Sequence, residues 1–544
     1  MSEVKLTGVV MTSTGPIVGK VLESGRVSSF LGIPYAQPPI GALRFKATQP
    51  VKPWQTPFEA TQFGSPSLQM MGAEHEVADF IDENTPVGEG YFGSEDCLTL
   101  NVWKPENEQA KRPLFIWIHG GANHMEGSRS RMYNGEVMAE QGNIVFASLN
   151  YRLGMMGFMD VSELGGEDYL GSSCNGLMDQ LMAVEWILSN AEAFGADPGN
   201  VTIAGESAGG MDISWLLASG RLKGKVKRAI LMSNVKGPAG FGEAPNKLSR
   251  HDKRFSQTIA KQFMARLGYD SFEVMQADAA QNVFNRLANS VTGEDHLFDL
   301  DGLFYPCVDE VFSDNEPYRA IRAGMLDGID IMLGYTNYEA GLWVMAEEAM
   351  LNWPAQKMAD LYGNLSDRVK EKVVAQYRTF HPTLSEGELG LMIMSDCGFV
   401  SPITWFAEEM SARQNKVWMY RFDWEVNSTF KAMHSCELPF FFGRPNDEAA
   451  CELIQAPANS EQTQERETLS QAFFQRVLSF IHHGTPNANP TINSLNWPLY
   501  ESNTRSVMRF DLDCEVIQQP NKEKHNWWTE HVYAPLMNPT NESA

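Results

Sequence analysis

The stretch Val201-Thr202-Ile203-Ala204-Gly205-Glu206-Ser207-Ala208-Gly209-Gly210 determines the predicted fold. Its first four residues are β-branched or apolar, which favours a buried strand, and the small and apolar residues from Ala208 onward favour a helix. Between them lies Gly-x-Ser-x-Gly, the pattern of a sharp strand-to-helix turn that exposes a nucleophilic serine. Glycine suits such a turn because a bulky Cβ group would crowd it. Ser207 is therefore the first candidate catalytic residue, although an ordinary glycine-flanked turn gives the same five letters.

Composition indicates a large globular protein rather than a nucleic-acid-binding one. The 544 residues include 68 acidic and 43 basic side chains, for a formal net charge of −25. No basic stripe is present, and this argues against a polyanionic partner. Hydrophobic residues make up 43% of the chain, with 13 Trp and 30 Phe, so a sizeable core is expected.

The termini and cysteines predict a cytoplasmic protein. The first residues lack the basic segment and apolar core of a signal peptide. No stretch approaches the roughly 18 apolar residues of a membrane span. The seven cysteines are an odd number without a Cys-x-x-Cys pair, which favours reduced thiols. A secreted form trimmed of its leader is left open, and so is the choice between monomer and homo-oligomer.

Strand-like and helix-like segments alternate along the chain, which predicts an α/β architecture. We expect a large central, mostly parallel mixed sheet flanked by helices in a single domain over residues 1–544. Residues of about 250–290 and 345–415 are predicted to form helical cap or insertion segments. A turn is expected at Ala196–Asn200 and a long helix at Asn175–Asn190. The expected strands are Leu98–Trp103, Leu114–Ile118, Ile144–Leu149, Ala229–Met232, Asp330–Leu333 and Val417–Phe422.

A nucleophilic serine needs a base, and the base needs an orienting acid. His434 follows a strand in a loop and is better placed than His482 and His483, whose position at a helix C-terminus is explained by the helix dipole. Asp309 and Glu339 both follow strand-like runs, so spacing leaves both open as the acid.

His119-Gly120-Gly121-Ala122-Asn123 follows a predicted strand. Glycines at such a point allow backbone N–H groups to converge, as an oxyanion hole requires. A plain turn remains the alternative.

Many segments, in order from about residue 7 to 510, resemble the type-B carboxylesterase/lipase family. They are Phe30–Ala36, Ser94–Val102, His119–Ala122, Asn150–Gly154, Asn175–Gln180, Gly205–Gly210, Gly334–Glu339 and His434–Pro439. The resemblance implies an α/β-hydrolase fold, with Ser207 as nucleophile, Glu339 as acid and His434 as general base. It implies an oxyanion hole formed by the N–H groups of Gly121, Ala122 and Ala208, and it calls for no metal and no cofactor.

The same resemblance implies supporting residues. Arg44 with Glu95, and Arg152 with Asp179, match structural ion pairs. Five further residues are candidates for a supporting role around the triad or for the substrate pocket: Glu206, Ser233, Glu437, Asn123 and His124. For Ser233 and Glu437, ordinary polar packing is the alternative.

Two departures from the family pattern bear on compartment and substrate. Ser67 stands where many secreted relatives have a cysteine paired with the one at Cys97, so that disulfide cannot form, in agreement with a reducing compartment. Asn123-His124-Met125 replaces the usual aromatic start of its loop, which leaves the shape of the acyl pocket open.

The predicted activity is serine carboxylesterase hydrolysis of small-molecule esters through an acyl-enzyme on Ser207. An acidic stretch at about Met70–Glu95 suits short-to-medium acyl chains better than the large apolar lid of an interfacial lipase would. The alternatives are a lipase, or an amidase or carbamate hydrolase, on the same triad. A catalytically silent partner-binding module is a more remote one.

Overall fold

The computed structural model describes residues 5–71, 81, 85–107, 111–234, 251–290, 302–363, 367–458, 462–488 and 495–537. Much of the acidic stretch predicted around Met70–Glu95, namely residues 72–80 and 82–84, lies outside them. The chain divides into two compact units, Met1–Lys227 with Lys253–Asp314 and Arg228–Asp252 with Asn315–Ala544. The single-domain organisation stays a prediction.

The first unit contains a mixed sheet with the strand order β12-β10-β11-β9-β4-β3. Strand β10 pairs in parallel with β11 and β12, whereas β9 runs antiparallel to β11 and β4. All seven residues of β10 are buried, as expected of a parallel strand covered on both faces. The strands are β1 Val10–Thr12, β2 Gly15–Val18, β3 Lys20–Val21, β4 Val27–Pro34, β5 Phe58–Glu59, β6 Gln69–Met70, β7 Val87–Gly88, β8 Tyr91–Phe92, β9 Thr99–Pro105, β10 Arg112–Ile118, β11 Val145–Leu149 and β12 Ala196–Glu206.

The described helices of the first unit include the one predicted at Asn175–Asn190, with the same bounds. They are α1 Glu136–Gly142, α2 Gly154–Phe158, α3 Ser162–Gly165, α4 Asn175–Asn190, α5 Ala208–Ala218, α6 Lys253–Leu267, α7 Phe272–Ala277 and α8 Ala280–Ser290. The last three make residues 253–290 largely helical, as expected, and their role as a cap stays a prediction.

The turn predicted at Ala196–Asn200 is wrong, because these residues form the beginning of β12. Arg112 pairs with Ala196, but Leu114 already pairs with Val201. The register therefore shifts within this stretch. Pro198 and Gly199, which suggested a turn, lie where the strand bulges, as is common for these residues in strands.

The second unit contains the strand order β17-β16-β15-β14-β13, in which β13 to β16 are parallel and β17 is antiparallel. The strands are β13 Arg228–Met232, β14 Asp330–Thr336, β15 Val417–Phe422, β16 Ser506–Phe510 and β17 Glu515–Gln518. The described helices are α9 Pro317–Arg322, α10 Gly341–Ala346, α11 Ala355–Gly363, α12 Asp367–Phe380, α13 Glu386–Ser395, α14 Ser401–Ala412, α15 Leu438–Phe441, α16 Glu448–Leu453, α17 Thr463–His483, α18 Lys522–Trp528 and α19 Ala534–Met537.

One helical stretch of the second unit is long and apolar enough to cross a membrane. It covers the 27 residues Glu386–Ala412, in which a π-helical turn at Asp396–Val400 joins α13 to α14. Its most apolar window is 94% buried inside the protein. Burial of this extent is typical of a core helix.

Both ion pairs implied by the resemblance are present in the first unit. The Arg152 guanidinium forms two hydrogen bonds of 2.8 Å with the Asp179 carboxylate, which also accepts the Arg152 backbone N–H at 3.0 Å. Arg44 contacts Glu95 through hydrogen bonds of 2.6 and 2.9 Å. Paired forks of this kind are the strong form of ion pair.

Asp179→Asn is expected to lower the free energy of unfolding by about 3–5 kcal/mol, because it leaves the buried Arg152 guanidinium without its counter-charge. Urea denaturation measures the difference. The control is Asp168→Asn, which breaks the exposed pair that Asp168 forms with Lys46 at 2.8 Å and should cause no measurable change. Equal effects of the two substitutions would contradict a structural role for the buried pair.

All seven cysteines are free thiols, and five of them are buried. Burial raises the pKa of the Cys97 thiol to about 12, so this thiol is unreactive. Ser67, in the place of a cysteine partner, donates a hydrogen bond of 2.5 Å to the Tyr151 carbonyl. Free thiols are the form that a cytoplasmic location requires, and the location itself stays a prediction.

Candidate active site

Ser207 lies on the turn between β12 and α5 with φ 54° and ψ −124°. This conformation is unfavourable for a residue with a Cβ atom and costs about 1–3 kcal/mol, which the surrounding structure must offset. Glu206 and Ala208 on either side are buried, whereas Ser207 is partly exposed. The turn thus presents the serine and hides its neighbours, as a nucleophile requires.

The two motif glycines are needed for close packing of backbones. A Cβ atom on Gly209 would lie 2.2 Å from the Ile118 carbonyl oxygen and 2.6 Å from that of His119. A Cβ atom on Gly205 would lie 2.7 Å from the same Ile118 oxygen. The end of strand β10 and the start of helix α5 therefore approach too closely for a side chain at either glycine. The residue of the motif with the unfavourable φ is Ser207.

The segment His119–Met125 follows β10 and contains two of the three predicted oxyanion donors, so it is here called the oxyanion loop. Gly121, Ala122 and Asn123 have φ of 81°, 49° and 60°, and the N–H groups of His124 and Met125 both donate to the Gly121 carbonyl. A Cβ atom on Gly120 would lie 3.1 Å from the Cβ of Ser207, so the loop runs beside the elbow.

Within the described part of the chain, the N–H groups of Gly121, Ala122 and Ala208 donate no hydrogen bond to another residue. Gly121 and Ala122 are half-buried beside the elbow, and Ala208 is the first residue of α5. Free donors beside a nucleophile can stabilise an oxyanion.

The Asn123 side chain is directed into the protein. Its Nδ2 donates to Asp212 Oδ1 at 3.2 Å, and the Tyr151 hydroxyl lies 3.3 Å from its Oδ1. Asp212, on α5, also accepts a hydrogen bond of 2.5 Å from Gln180. Burial raises the pKa of Asp212 to about 7. Asp212 is not among the residues predicted from the sequence. An acid among the apolar residues Met211, Ile213, Trp215 and Leu216 of a predicted helix is the signal that could have identified it.

The imidazole of His119 stacks on the Tyr151 ring with centroids 4.5 Å apart, and the Tyr151 hydroxyl donates to the His119 carbonyl at 3.0 Å. Burial lowers the pKa of His119 to about 4, so this ring is neutral at physiological pH. Tyr151 thus contacts both His119 and Asn123, and these contacts restrain the part of the oxyanion loop between them.

In the second unit, His434 and Glu339 form a hydrogen-bonded pair. Glu339 follows β14 and is fully buried, and its Oε2 lies 2.5 Å from His434 Nδ1. Its Oε1 accepts hydrogen bonds from the Ser233 hydroxyl at 2.7 Å and from the Thr336 N–H at 2.8 Å. The backbone N–H of His434 also donates to the backbone carbonyl of Glu339 at 3.1 Å. A carboxylate bonded to Nδ1 favours the tautomer with its proton on Nδ1, so Nε2 is the ring nitrogen that can accept a proton.

Two of the predicted supporting residues lie around this pair. Ser233, with φ 43°, donates to Glu339, and its hydroxyl lies 3.4 Å from Oε1 of the buried Glu437. Two aromatic rings lie beside the imidazole, Trp343 at 5.4 Å and Phe399 at 4.8 Å between centroids, and no sequence pattern predicted them. Phe399 belongs to the π-helical turn, a distortion that is frequent at functional sites.

The two acids that spacing left open have different partners. Asp309, in the first unit, lies 3.2 Å from Lys253 Nζ and forms an ion pair. Glu339 is the acid bonded to a histidine. His482 and His483 end α17 and are followed by Gly484 with φ 70°, as expected for the end of a helix.

The other predicted site residues lie in the oxyanion loop and the elbow. Glu206 is buried directly before Ser207, and His124 is half-buried. Among the described residues, no group of three or more His, Cys, Asp or Glu side chains is arranged to hold a metal ion.

A strained serine between a parallel strand and a helix, and a histidine held by a buried carboxylate, are features of the α/β-hydrolase class of serine hydrolases. The model of the carboxylesterase family matches residues 7–528, and the chain belongs to this family. The fold and the enzyme class expected from the sequence are thereby confirmed, and the protein is a carboxylic ester hydrolase.

Individual relatives agree with this. The chain is 32% identical to para-nitrobenzyl esterase of Bacillus subtilis over 95% of this chain and 97% of that protein. It is 26% identical to acetylcholinesterase of Bungarus fasciatus over 98% of this chain and 87% of that protein. A carboxylesterase structure of Geobacillus stearothermophilus aligns with a TM-score of 0.78 and 28% identity, covering 96% of this chain and all of that one. These matches do not favour the lipase, amidase or silent-module alternatives.

Proposed function

We propose that Ser207, His434 and Glu339 are the catalytic triad of this ester hydrolase. The hydrogen bond between His434 Nδ1 and Glu339 Oε2 carries the assignment, because it fixes the tautomer that a general base needs. The strained, partly exposed Ser207 supplies the nucleophile. Their order along the chain, serine, acid and then histidine, is that of α/β-hydrolases.

In the acylation step, Ser207 Oγ attacks the carbonyl carbon of the ester while His434 Nε2 takes the hydroxyl proton. Glu339 keeps the imidazole oriented and stabilises the imidazolium that forms. The negative charge on the former carbonyl oxygen is met by the N–H groups of Gly121, Ala122 and Ala208, each worth roughly 10²–10³ in rate. Collapse of the intermediate breaks the bond to the alcohol, which leaves with the proton from His434.

In the deacylation step, a water molecule replaces the alcohol. His434 takes a proton from this water as its oxygen attacks the acyl carbon, and the same N–H groups meet the second oxyanion. When the intermediate collapses, His434 returns the proton to Ser207 Oγ and the carboxylic acid leaves.

The proposed substrates are esters of short-to-medium acyl chains. The acidic composition around Met70–Glu95 supports this, because such a stretch does not suit docking of an aggregated lipid. A relative named for para-nitrobenzyl esters supports an alcohol group of compact size.

Hydrolysis of para-nitrophenyl esters from acetate to palmitate tests the proposed substrate class. We expect kcat/KM to be highest at or below the octanoate and to fall for longer chains. Labelling with a dialkyl para-nitrophenyl phosphate, followed by mass analysis of the modified peptide, should place the phosphoryl group on Ser207. A maximum at palmitate would contradict the chain-length proposal, and a label on another residue would contradict the nucleophile.

A further inference from the structure

Asp212 is a fully buried carboxylic acid that the proposed mechanism does not use. It lies in the second turn of α5, the helix that begins directly after Ser207. Its Oδ1 accepts a hydrogen bond from Asn123 Nδ2 at 3.2 Å, and its Oδ2 accepts one from Gln180 Nε2 at 2.5 Å. In the described part of the chain, no Lys, Arg or His side chain forms an ion pair with it.

Burying an acid without a cation costs free energy, whereas an apolar side chain carries no charge to desolvate. The high pKa of Asp212, about 7, reflects this cost. Stability of the fold therefore does not explain an acid at position 212. Its hydrogen bond to Asn123 points to a functional reason.

That group, Asn123, is part of the oxyanion loop. It follows Ala122, and both residues have positive φ. The Asn123 carbonyl accepts the Gly154 N–H at 2.6 Å, while its side chain is held by Asp212. A residue fixed at both its backbone and its side chain determines the direction of the peptide groups next to it.

The contact also joins the two sources of oxyanion donors. Ala208 provides its N–H from the first turn of α5, and Gly121 and Ala122 provide theirs from the loop after β10. These segments are far apart in sequence, and the hydrogen bond between Asp212 and Asn123 connects one side chain from each. Three donors that must converge on one oxygen require such a fixed relation, because a displacement of about 1 Å can cost 10²-fold in rate.

We propose that Asp212 is a positioning residue for ester hydrolysis, which holds Asn123 and thereby fixes the oxyanion loop relative to the start of α5. The inference rests on the proposed oxyanion hole. Asp212 acts through the acceptor oxygen that it offers to Asn123, and its charge is not required. Gln180 supports the carboxylate from α4.

Exchanging the two side chains tests the proposal. Asn123→Asp removes the amide donor to Asp212 and places two carboxylates face to face, which repel each other whenever both are ionised. We expect kcat to fall by about tenfold or more with KM changed by less than about threefold. The affinity for a trifluoromethyl ketone, which forms an anionic adduct on the nucleophile, should fall by a similar factor.

The double variant Asn123→Asp/Asp212→Asn restores the pair with donor and acceptor reversed. The amide at position 212 donates to the new carboxylate, its oxygen accepts from Gln180, and the Tyr151 hydroxyl keeps its acceptor. We expect kcat and ketone affinity within about threefold of the wild type. Should the double variant be no better than Asn123→Asp alone, the positioning role is wrong.

Asn123→Gly keeps the test valid if Asn123→Asp does not fold. Glycine adopts the φ of 60° without strain and removes only the side chain that Asp212 holds. It should lower the ketone affinity by about tenfold, and an unchanged affinity would overturn the proposal. The control is Ser214→Ala on the same helix. The Ser214 hydroxyl donates to the Met211 carbonyl at 2.5 Å, and kcat of this variant is expected within about twofold of the wild type.

The outcome also separates this inference from the proposed triad. If the ketone binds equally well to the wild type and to Ser207→Ala, the assignment of the nucleophile fails. If binding depends on Ser207 but is the same in all the position 123 and 212 variants, the triad stands and only the role of Asp212 fails.

Discussion

Replacing Ser207 by alanine is expected to lower kcat for para-nitrophenyl butyrate by about 10⁶-fold, with little change in KM. The substitution removes the hydroxyl oxygen of the partly exposed residue between the buried Glu206 and Ala208. The oxyanion donors and the binding surface remain, so a residual rate about 10³–10⁴ above that in water should persist. Stopped-flow release of nitrophenol with enzyme freshly purified from a host lacking esterases measures both rates.

Ser214→Ala is again the matched control, because it removes a buried hydroxyl from the same helix without touching the turn. It should retain full activity. A loss of less than about 10²-fold in the Ser207 variant would mean that another group attacks the ester. Because alanine loses only Oγ at a position already strained by its φ of 54°, unfolding is not expected to explain the result.

The letters around Ser207 predicted the turn and a steric reason for its glycines, but not that the crowding comes from the neighbouring strand β10. Gly-x-Ser-x-Gly indicated an exposed serine, since the motif has a known local geometry. That Gly209 must admit the Ile118 carbonyl depends on how closely β10 and α5 pack, which no local pattern reports. Local geometry is encoded in neighbouring residues, whereas a packing distance depends on the whole fold.

The choice of acid shows the same limit. Asp309 and Glu339 each follow a strand-like run, and along the sequence both looked equally suitable. The ion pair of Asp309 with Lys253 and the bond of Glu339 to His434 join residues far apart in the chain. The resemblance to a family had already favoured Glu339, because the pattern of a family carries information about contacts that spacing lacks.

The contact between Asp212 and Asn123 was not predicted by the family pattern either. They are 89 positions apart in the sequence. The local sequence marks Asn123 for a different reason and does not mark Asp212 at all. Asn123 is a predicted pocket residue because Asn123-His124-Met125 replaces the usual aromatic start of its loop, whereas in the structure its amide contacts a buried acid. Side-chain pairs of this kind can be recognised only when both partners are seen together.

Glu339→Gln is expected to lower kcat by about 10⁴-fold, through the wrong tautomer of His434. Oε1 of Glu339 accepts two hydrogen bonds, from the Ser233 hydroxyl and the Thr336 N–H. The amide of glutamine has only one acceptor oxygen, which these two donors will hold. Its NH₂ group must then face His434 Nδ1, so that Nδ1 becomes an acceptor and the proton moves to Nε2.

An imidazole protonated on Nε2 cannot take the proton of Ser207, although substrate and oxyanion donors are unchanged. The loss should therefore appear in kcat with KM nearly constant, in steady-state hydrolysis of para-nitrophenyl butyrate. The control is Glu316→Gln in the same unit, which also replaces a buried carboxylate but one that caps α9, and it should leave kcat unchanged. If Glu339→Gln keeps more than about a tenth of the wild-type rate, Ser233 and Thr336 do not fix the amide as argued, and the carboxylate is not the group that sets the tautomer.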